Sequence, residues 1–452
     1  MLLVALFIVG YLAIVFEHPL RLNKAASALL TGVACWTAYI VTGDHHAINE
    51  QLLQQMGELS QILFFLLGAM TIVELVDAYD GFEIITSRIR TRSRRKLLLA
   101  ISLLSFGLSA VLDNLTASIV MISLVRKLVS DDTDRMYYAG VVIVAANSGG
   151  AWSPIGDVTT TMLWIGGQIT TRGVVTHVLL PSLIGVAVPV LLIALRMKGD
   201  VARRAPQDSE AIMPIPPPLT PGLTASRPPD DATAIGRSLA PGQTTLLERR
   251  IVLVAGIAVL LFVPIFKYIT NLPPFMGMLL GLGALWTLTE VIHKKRADES
   301  KGPLSVTSAL RRIDAESILF FLGILLAIGA LQHGGILAAL ATWMDRTIGN
   351  VNVITVSIGL ASAVVDNVPL VAAVQRMYPL SAFPTDHHFW LFLCYCAGTG
   401  GSLLIIGSAA GIAVMGIQRI TFGWYVRHLS LPALVGYAAG AATYLAMAAA
   451  RQ

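Results

Sequence analysis

The string Ser-Ala-Val-Leu-Asp113-Asn114 returns as Ser-Ala-Val-Val-Asp366-Asn367, and each copy ends an uncharged run, Leu97 to Leu112 and Val351 to Val365. Ionising a carboxylate in hydrocarbon is costly without a partner, so an acid in such a setting marks a functional site by default. Finding it twice suggests a carrier made of two homologous halves that meet at a midplane ion site.

A third acid, Asp157, lies in Asn147-Ser148-Gly149-Gly150-Ala-Trp152-Ser153-Pro154-Ile-Gly156-Asp157-Val-Thr159-Thr160-Thr161. The adjacent glycines and Pro154 break the helical hydrogen-bond ladder. In lipid such a break survives only where the freed groups meet protein, water or ions. Its second-half counterpart, Gly398-Thr399-Gly400-Gly401-Ser402 through Gly407-Ser408, keeps the glycine register and the hydroxyls. Unwound carbonyls with Asn, Ser and Thr oxygens suit a hard, small cation; the competing reading is a packing kink whose small residues allow close helix approach.

The candidate ion and proton ligands are Asp113, Asn114, Thr116, Asn147, Ser148, Asp157, Thr159, Asp366, Asn367, Thr399 and Ser402, with Asp113, Asn114, Asn147, Ser148 and Asp366 as the sodium set. Other roles stay open. Asp113 and Asp366 could cap the helices that follow them, with Asn114 and Asn367 satisfying local backbone, and Asp157 could cap or orient Thr159 to Thr161. Thr116 and Pro369 occupy equivalent places, so the two copies are chemically unequal. The first is expected to contribute most to the ion.

Positioning these residues requires a membrane. The chain is 55% hydrophobic and 13% charged, with a mean hydropathy of +0.72, whereas typical soluble domains carry roughly 25% charge. Ten crossings are expected, at 2–16, 25–42, 59–77, 137–167, 174–196, 249–266, 275–292, 315–333, 389–417 and 429–449. The stretches 97–125 and 351–375 have arms too short for a span of about 20 residues; they read as re-entrant hairpins with Asp-Asn at the tip, or else as single crossings with a polar kink. With hairpins, 27 of the 32 basic residues fall in loops on one side. The positive-inside rule makes that side cytoplasmic and places both termini outside.

The net charge of +5 therefore implies no nucleic-acid partner. Arg88, Arg90, Arg92, Arg94, Arg95 and Lys96 read as orientation and anionic-lipid contacts. Cys35, Cys394 and Cys396 lie in apolar spans without metal-like spacing and read as free, packed thiols. The first segment lacks a basic n-region and an evident cleavage site, so it reads as a retained helix.

Nine of the 21 prolines cluster between Gly199 and Glu248. This Pro-rich cytoplasmic linker, 199–248, separates a first membrane repeat, 1–198, from a second, 249–452. Phe64-Phe65 matches Phe320-Phe321, Asp113-Asn114 matches Asp366-Asn367, and Gly149-Gly150 with Gly156 matches Gly400-Gly401 with Gly407, in one order. Each half then holds five crossings, an odd number, so the second is inserted upside down. The expected fold is an all-α polytopic membrane protein with two inverted repeats, about ten transmembrane helices and two hairpins meeting broken helices at the midplane.

Other polar residues have weaker claims. Glu74 and Asp77 belong either to a proton path or to the wet membrane edge. His45-His46 and His387-His388 are placed in outside loops, as pH sensors or inert exposed groups. Segment 335–348 reads as an interfacial amphipathic helix.

Leu112-Asp113-Asn114-Leu-Thr116-Ala-Ser118, the Ala146 to Trp164 string and Gly398 to Gly411 resemble the NhaD-type sodium/proton antiporters of the ion transporter superfamily, through nearly the whole membrane region. The resemblance implies exchange of cytoplasmic Na⁺ or Li⁺ for external H⁺, no resident cofactor, a scaffold separable from a transport domain, a homodimer and a bacterial inner-membrane location. Dicarboxylate and arsenite carriers are relatives, and coupled transport of such an anion is the alternative function. In the carboxylate carriers the resemblance places neutral Ser-Asn-Thr at the tips; an Asp there repels an anion and attracts a cation. Na⁺ and H⁺ would compete for the same carboxylates, since burial disfavours the charged form and a bound cation restores it. A membrane enzyme is disfavoured by the lack of a nucleophile with its base or a phosphate loop; a passive channel remains open.

Overall fold

In the structure, a computed structural model, residues 2–15, 22–41, 45–87, 89, 91–201, 244–293 and 304–451 are described. Most of the proline-rich linker, together with Arg88 and Arg90, lies outside the described residues. Among those described the architecture is helical, with no strand beyond one isolated bridge between Ser93 and Asp200. The chain divides into two compact units, Met1–Ser87 with Leu219–Ala339 and Arg88–Pro218 with Leu340–Gln452, so each sequence half contributes to both.

The first unit contains α1 (Leu2–Val15), α2 (Lys24–Val41), α3 (His45–Ala78), α4 (Glu83–Thr86), and, from the second half, α10 (Leu246–Thr270), α11 (Pro274–His293), α12 (Val306–Arg312) and α13 (Ala315–His333). Helix α2 packs on α13 through glycines: a Cβ on Gly32 or Gly323 would strike the facing backbone. In lipid, where apolar surface alone gives little drive for association, such close backbone approach holds helices together. The Trp36 indole N–H donates to the Leu326 carbonyl at 2.9 Å across this contact. At the ends of α3 and α4, Arg249 pairs with Asp80 (3.2 Å) and Glu83 (2.6 Å), and Arg312 pairs with Glu74 (3.2 Å). Glu74 is thus a partner in a local ion pair.

Helix α3 differs from the expected crossing at 59–77. It starts at His45 and runs 34 residues, roughly 50 Å at about 1.5 Å per residue. Hydropathy alone hides its first turns, which are polar overall but bury Ile48, Gln55 and Leu59 at helical spacing. His46 is therefore an exposed helical residue 3.8 Å from Glu50, not a loop residue. The second histidine pair is displaced from its loop too, because His387 and His388 start a helix.

The second unit contains α5 (Arg94–Ser109), α6 (Asn114–Leu128), α7 (Asp132–Ala151), α8 (Val158–Ile165) and α9 (Thr171–Arg196) from the first half. From the second half come α15 (Val351–Ala361), α16 (Asn367–Met377), α17 (His388–Gly400), α18 (Ala409–Gln418), α19 (Phe422–Tyr425) and α20 (Leu431–Ala449), the last two joined by a π turn, Val426–Ser430. The final crossing, expected from 429, thus begins at Phe422. Helix α14 (Ile336–Thr347), in which the chain passes from the first unit to the second, lies where the amphipathic segment was expected.

Among the described residues seven helices are long and apolar enough to cross a membrane, including α9 and the stretch Phe422–Ala449. The protein is a multi-pass membrane protein. The expected crossings 137–167 and 389–417 are each split in two, as the glycine motifs suggested. Their first arms, α7 and α17, bury nearly every residue from Tyr138 and Phe389 onward, which makes them the centre of the unit. Cys35, Cys394 and Cys396 are buried free thiols.

Gly323→Val is expected to overpack the α2–α13 crossing and lower stability by about 1–3 kcal/mol. A thermal unfolding scan in detergent would show a reduced midpoint; an unchanged midpoint would contradict the close-contact account.

Candidate functional site

Both Asp-Asn pairs lie at a helix break in the second unit. After α5 the chain turns through Ala110 to Leu112, and Asp113 becomes the N-cap of α6. Its two oxygens accept from Thr116, Oδ1 from the backbone N–H at 2.9 Å and Oδ2 from the hydroxyl at 2.5 Å. Asp366 caps α16 in the same way by position, accepting from the Val368 N–H at 3.4 Å. The capping role weighed from the sequence is therefore the geometry seen at both acids.

The broken helices are held by matched contacts. The Ser109 hydroxyl donates to the Ala146 carbonyl at 2.6 Å, and the Ser362 hydroxyl to the Ala397 carbonyl at 3.0 Å. A Cβ on Gly149 would strike the Phe106 carbonyl, and one on Gly400 the Gly359 carbonyl. Each glycine thus lets a split helix lie directly on the helix before an Asp-Asn pair. Past the breaks, Asp157 and Ser408 are the N-caps of α8 and α18, with nearly the same extended backbone (φ −147°, ψ 142° and φ −147°, ψ 152°). The freed backbone of the first break is tied by Thr161, whose hydroxyl donates to the Pro154 carbonyl at 2.9 Å.

Ser408 caps conventionally, accepting from the Gly411 N–H at 3.2 Å, while Asp157 makes no side-chain cap. The Asp157 carboxylate instead gathers side chains from three elements. Oδ2 accepts from the Thr159 hydroxyl at 2.6 Å and from the Asn367 amide at 3.2 Å. Oδ1 accepts from the Asn114 amide at 3.4 Å, and that amide also donates to Asn147 Oδ1 at 3.0 Å. The Asn147 amide completes the chain by donating to Ser408 Oγ at 3.0 Å. Asp157 is 1% exposed, and Asn147 is fully buried. A Cβ at Gly398 would stand only 3.6 Å from Asp157 Oδ2, so helix α17 lies against the carboxylate.

Among the described residues no Lys, Arg or His pairs with Asp157; its charged neighbours are Asp113 and Asp366, within electrostatic reach. A buried carboxylate needs a counter-charge or a proton. This one has neutral donors and oxygen-rich neighbours, the surroundings in which a proton or a small cation supplies what is missing.

Of the residues picked from sequence, the structure joins Asn114, Asn147, Asp157, Thr159 and Asn367 in one network. Asp113 and Thr116 form a pair of their own. Thr399 and Ser402 turn inward on their own chain, their hydroxyls donating to the Tyr395 and Thr399 carbonyls, each at 2.6 Å. Ser148 is buried next to Asn147 in sequence but joins none of these bonds. Gly150 and Gly401 pack on the turns at Gly156 and Gly407, with Pro154 inside the first turn. The sequence favours Asp113 as the main contributor to the ion, whereas the hydrogen bonds centre on Asp157. Ser408, Ser109 and Ser362 were not picked, although the two earlier serines open the duplicated string.

Known proteins resemble the chain over most of its length. Residues 11–392 match the CitMHS family, described as citrate transporter, which makes the chain a membrane transporter by class. It is 46% identical over 443 residues to sodium/proton antiporter 1 of Arabidopsis thaliana, covering 98% of this chain and 71% of that protein. It is 29% identical over 476 residues to the Na⁺/H⁺ antiporter NhaD of Halomonas elongata (98% and 87% covered), and 30% identical over 447 residues to NhaD of Vibrio parahaemolyticus (92% and 98%). Within that broader family the chain belongs to the NhaD-type sodium/proton antiporters.

Ser109→Ala and Ser362→Ala each remove a hydroxyl that donates to a buried helix carbonyl, at an expected cost of about 0.5–1.5 kcal/mol. Thermal unfolding of the two variants should show similar losses; a loss in one and none in the other would contradict their equivalence.

Proposed function

We propose that the protein exchanges Na⁺, and Li⁺ with it, for H⁺ across the membrane, with Asp157 as the carboxylate the two ions share. The observation that carries the reading is a buried acid with neutral donors and no basic partner among the described residues. Protonation neutralises it in one state and a bound cation in the other, so the two exclude each other. Asn147, Thr159 and Ser408 supply oxygens to a small cation, while the Asn114 and Asn367 amides orient the carboxylate.

The helix pairs around Asp113 and Asp366 serve as re-entrant hairpins, and the two halves as inverted repeats. Reciprocal packing supports this: α6 of the first half packs on α18 of the second, and α16 of the second on α8 of the first. Such an arrangement lets either neutralised form of the site alternate between faces, while the empty, charged form resists crossing. With the basic loops cytoplasmic and both termini outside, external protons entering down their gradient drive cytoplasmic Na⁺ out.

Citrate transport, named in the family description, fits this site poorly. Its carboxylates would meet Asp113, Asp157 and Asp366 with no basic residue paired to Asp157 to offset the repulsion.

In everted vesicles loaded with a pH-sensitive dye, added Na⁺ should dequench the wild type. Asp157→Asn should abolish the response, and Asp113→Asn, which disturbs the cap of α6, should reduce it. Competition requires the apparent KM for Na⁺ to fall with rising pH, by roughly tenfold per pH unit while the site is mostly protonated. Full activity in Asp157→Asn, or saturable uptake of radiolabelled citrate, would contradict the reading.

A further inference from the structure

Two chain stretches, 91–96 entering α5 and 196–201 leaving α9, are zipped together. Ser93 and Asp200 form an antiparallel bridge, the Val201 N–H donates to the Arg92 carbonyl at 2.8 Å, and the Arg94 N–H to the Gly199 carbonyl at 3.1 Å. Between them is a surface hollow of about 500 Å³ lined by Ser93, Arg95, Lys198, Gly199 and Asp200. Arg95 is fixed there, its Nε donating to the Met197 carbonyl at 2.8 Å and one terminal nitrogen to the Leu195 carbonyl at 3.5 Å.

The charge around the hollow is unbalanced. Arg94 is neutralised by Asp134 at 2.7 Å, as Arg249 and Arg312 are by their own acids. By contrast, Arg92, Lys96, Arg196 and Lys198 are exposed and make no ion pair among the described residues. Asp200 is the acid that lines the hollow. The position also matters: α9 is long and apolar enough to cross a membrane and ends at Arg196, so Lys198 lies two residues past its end, where a crossing helix meets the headgroup region.

We infer that this hollow binds the phosphodiester of an anionic glycerophospholipid. Arg95, held by two carbonyls, and the unpaired Lys198 ammonium take the phosphate oxygens. Arg92, Lys96 and Arg196 add the field that favours an anionic over a zwitterionic headgroup, and Asp200 accepts from a headgroup hydroxyl such as those of phosphatidylglycerol. The bound lipid would bridge the start of α5 and the end of α9. The inference is independent of which ion the transporter exchanges.

The test is native mass spectrometry of the delipidated full-length protein, titrated with phosphatidylglycerol, phosphatidylcholine or inorganic phosphate. The wild type should retain phosphatidylglycerol over phosphatidylcholine by about tenfold, and Lys198→Gln should cut that preference several-fold. Arg95→Gln with Lys198→Gln should remove it, and Arg95→Lys should largely keep it. Millimolar phosphate should not displace the lipid. Equal retention of the two lipids by the wild type, an unchanged preference in Lys198→Gln, or displacement by phosphate alone would overturn the inference. Because the Lys198 ammonium has no ion-pair partner among the described residues, that single variant decides the matter even where the double variant does not fold.

Discussion

The arrangement of the second unit depends on burying one carboxylate that has no basic partner among the described residues. Asp157 has a hydroxyl and two amides as donors, and the amides come from the two duplicated Asp-Asn pairs, 253 positions apart in the sequence. A Lys or Arg in this position would tie the acid into a permanent ion pair, stable but inert to exchange. Neutral donors orient the carboxylate; in the proposed exchange its charge is balanced by whichever cation arrives.

Holding such a group requires the helices to be broken and to approach closely. The glycines at 149 and 400 let the split helices lie on the carbonyls of α5 and α15, and Ser109 and Ser362 fasten them there. The breaks also bring two helix starts, at Asp157 and Ser408, into the middle of the unit. The same local geometry is thus used twice, with one chemical difference. Ser408 satisfies its own helix, whereas Asp157 forgoes the cap and turns its oxygens to Thr159 and Asn114 of its own half and to Asn367 of the other.

That difference marks the limit of what was legible in the sequence. The duplicated strings and their glycine register point to two broken helices and two Asp-Asn turns, because those features are local and periodic. The amphipathic pattern of 335–348 is equally local, and α14 lies there. Hydropathy misplaced the start of α3, since Ile48, Gln55 and Leu59 bury one face of a stretch whose average is polar. The ranking of the acids was not local at all. Asp113 is consumed by Thr116 three residues away, while Asp157 owes its place to Asn367, 210 residues distant. No spacing rule conveys that convergence, nor that each half divides between two compact units.

In the proposed mechanism one buried carboxylate exchanges a proton for a sodium ion. Its most direct test is proton release on adding Na⁺ to the purified, weakly buffered protein, followed with a pH indicator alongside Na⁺ binding by calorimetry. The account predicts that Na⁺ binding releases protons below the site's titration range, that the release fades at alkaline pH while binding persists, and that both vanish in Asp157→Asn. Sodium binding to Asp157→Asn with wild-type affinity, or binding without proton release at any pH, would contradict it.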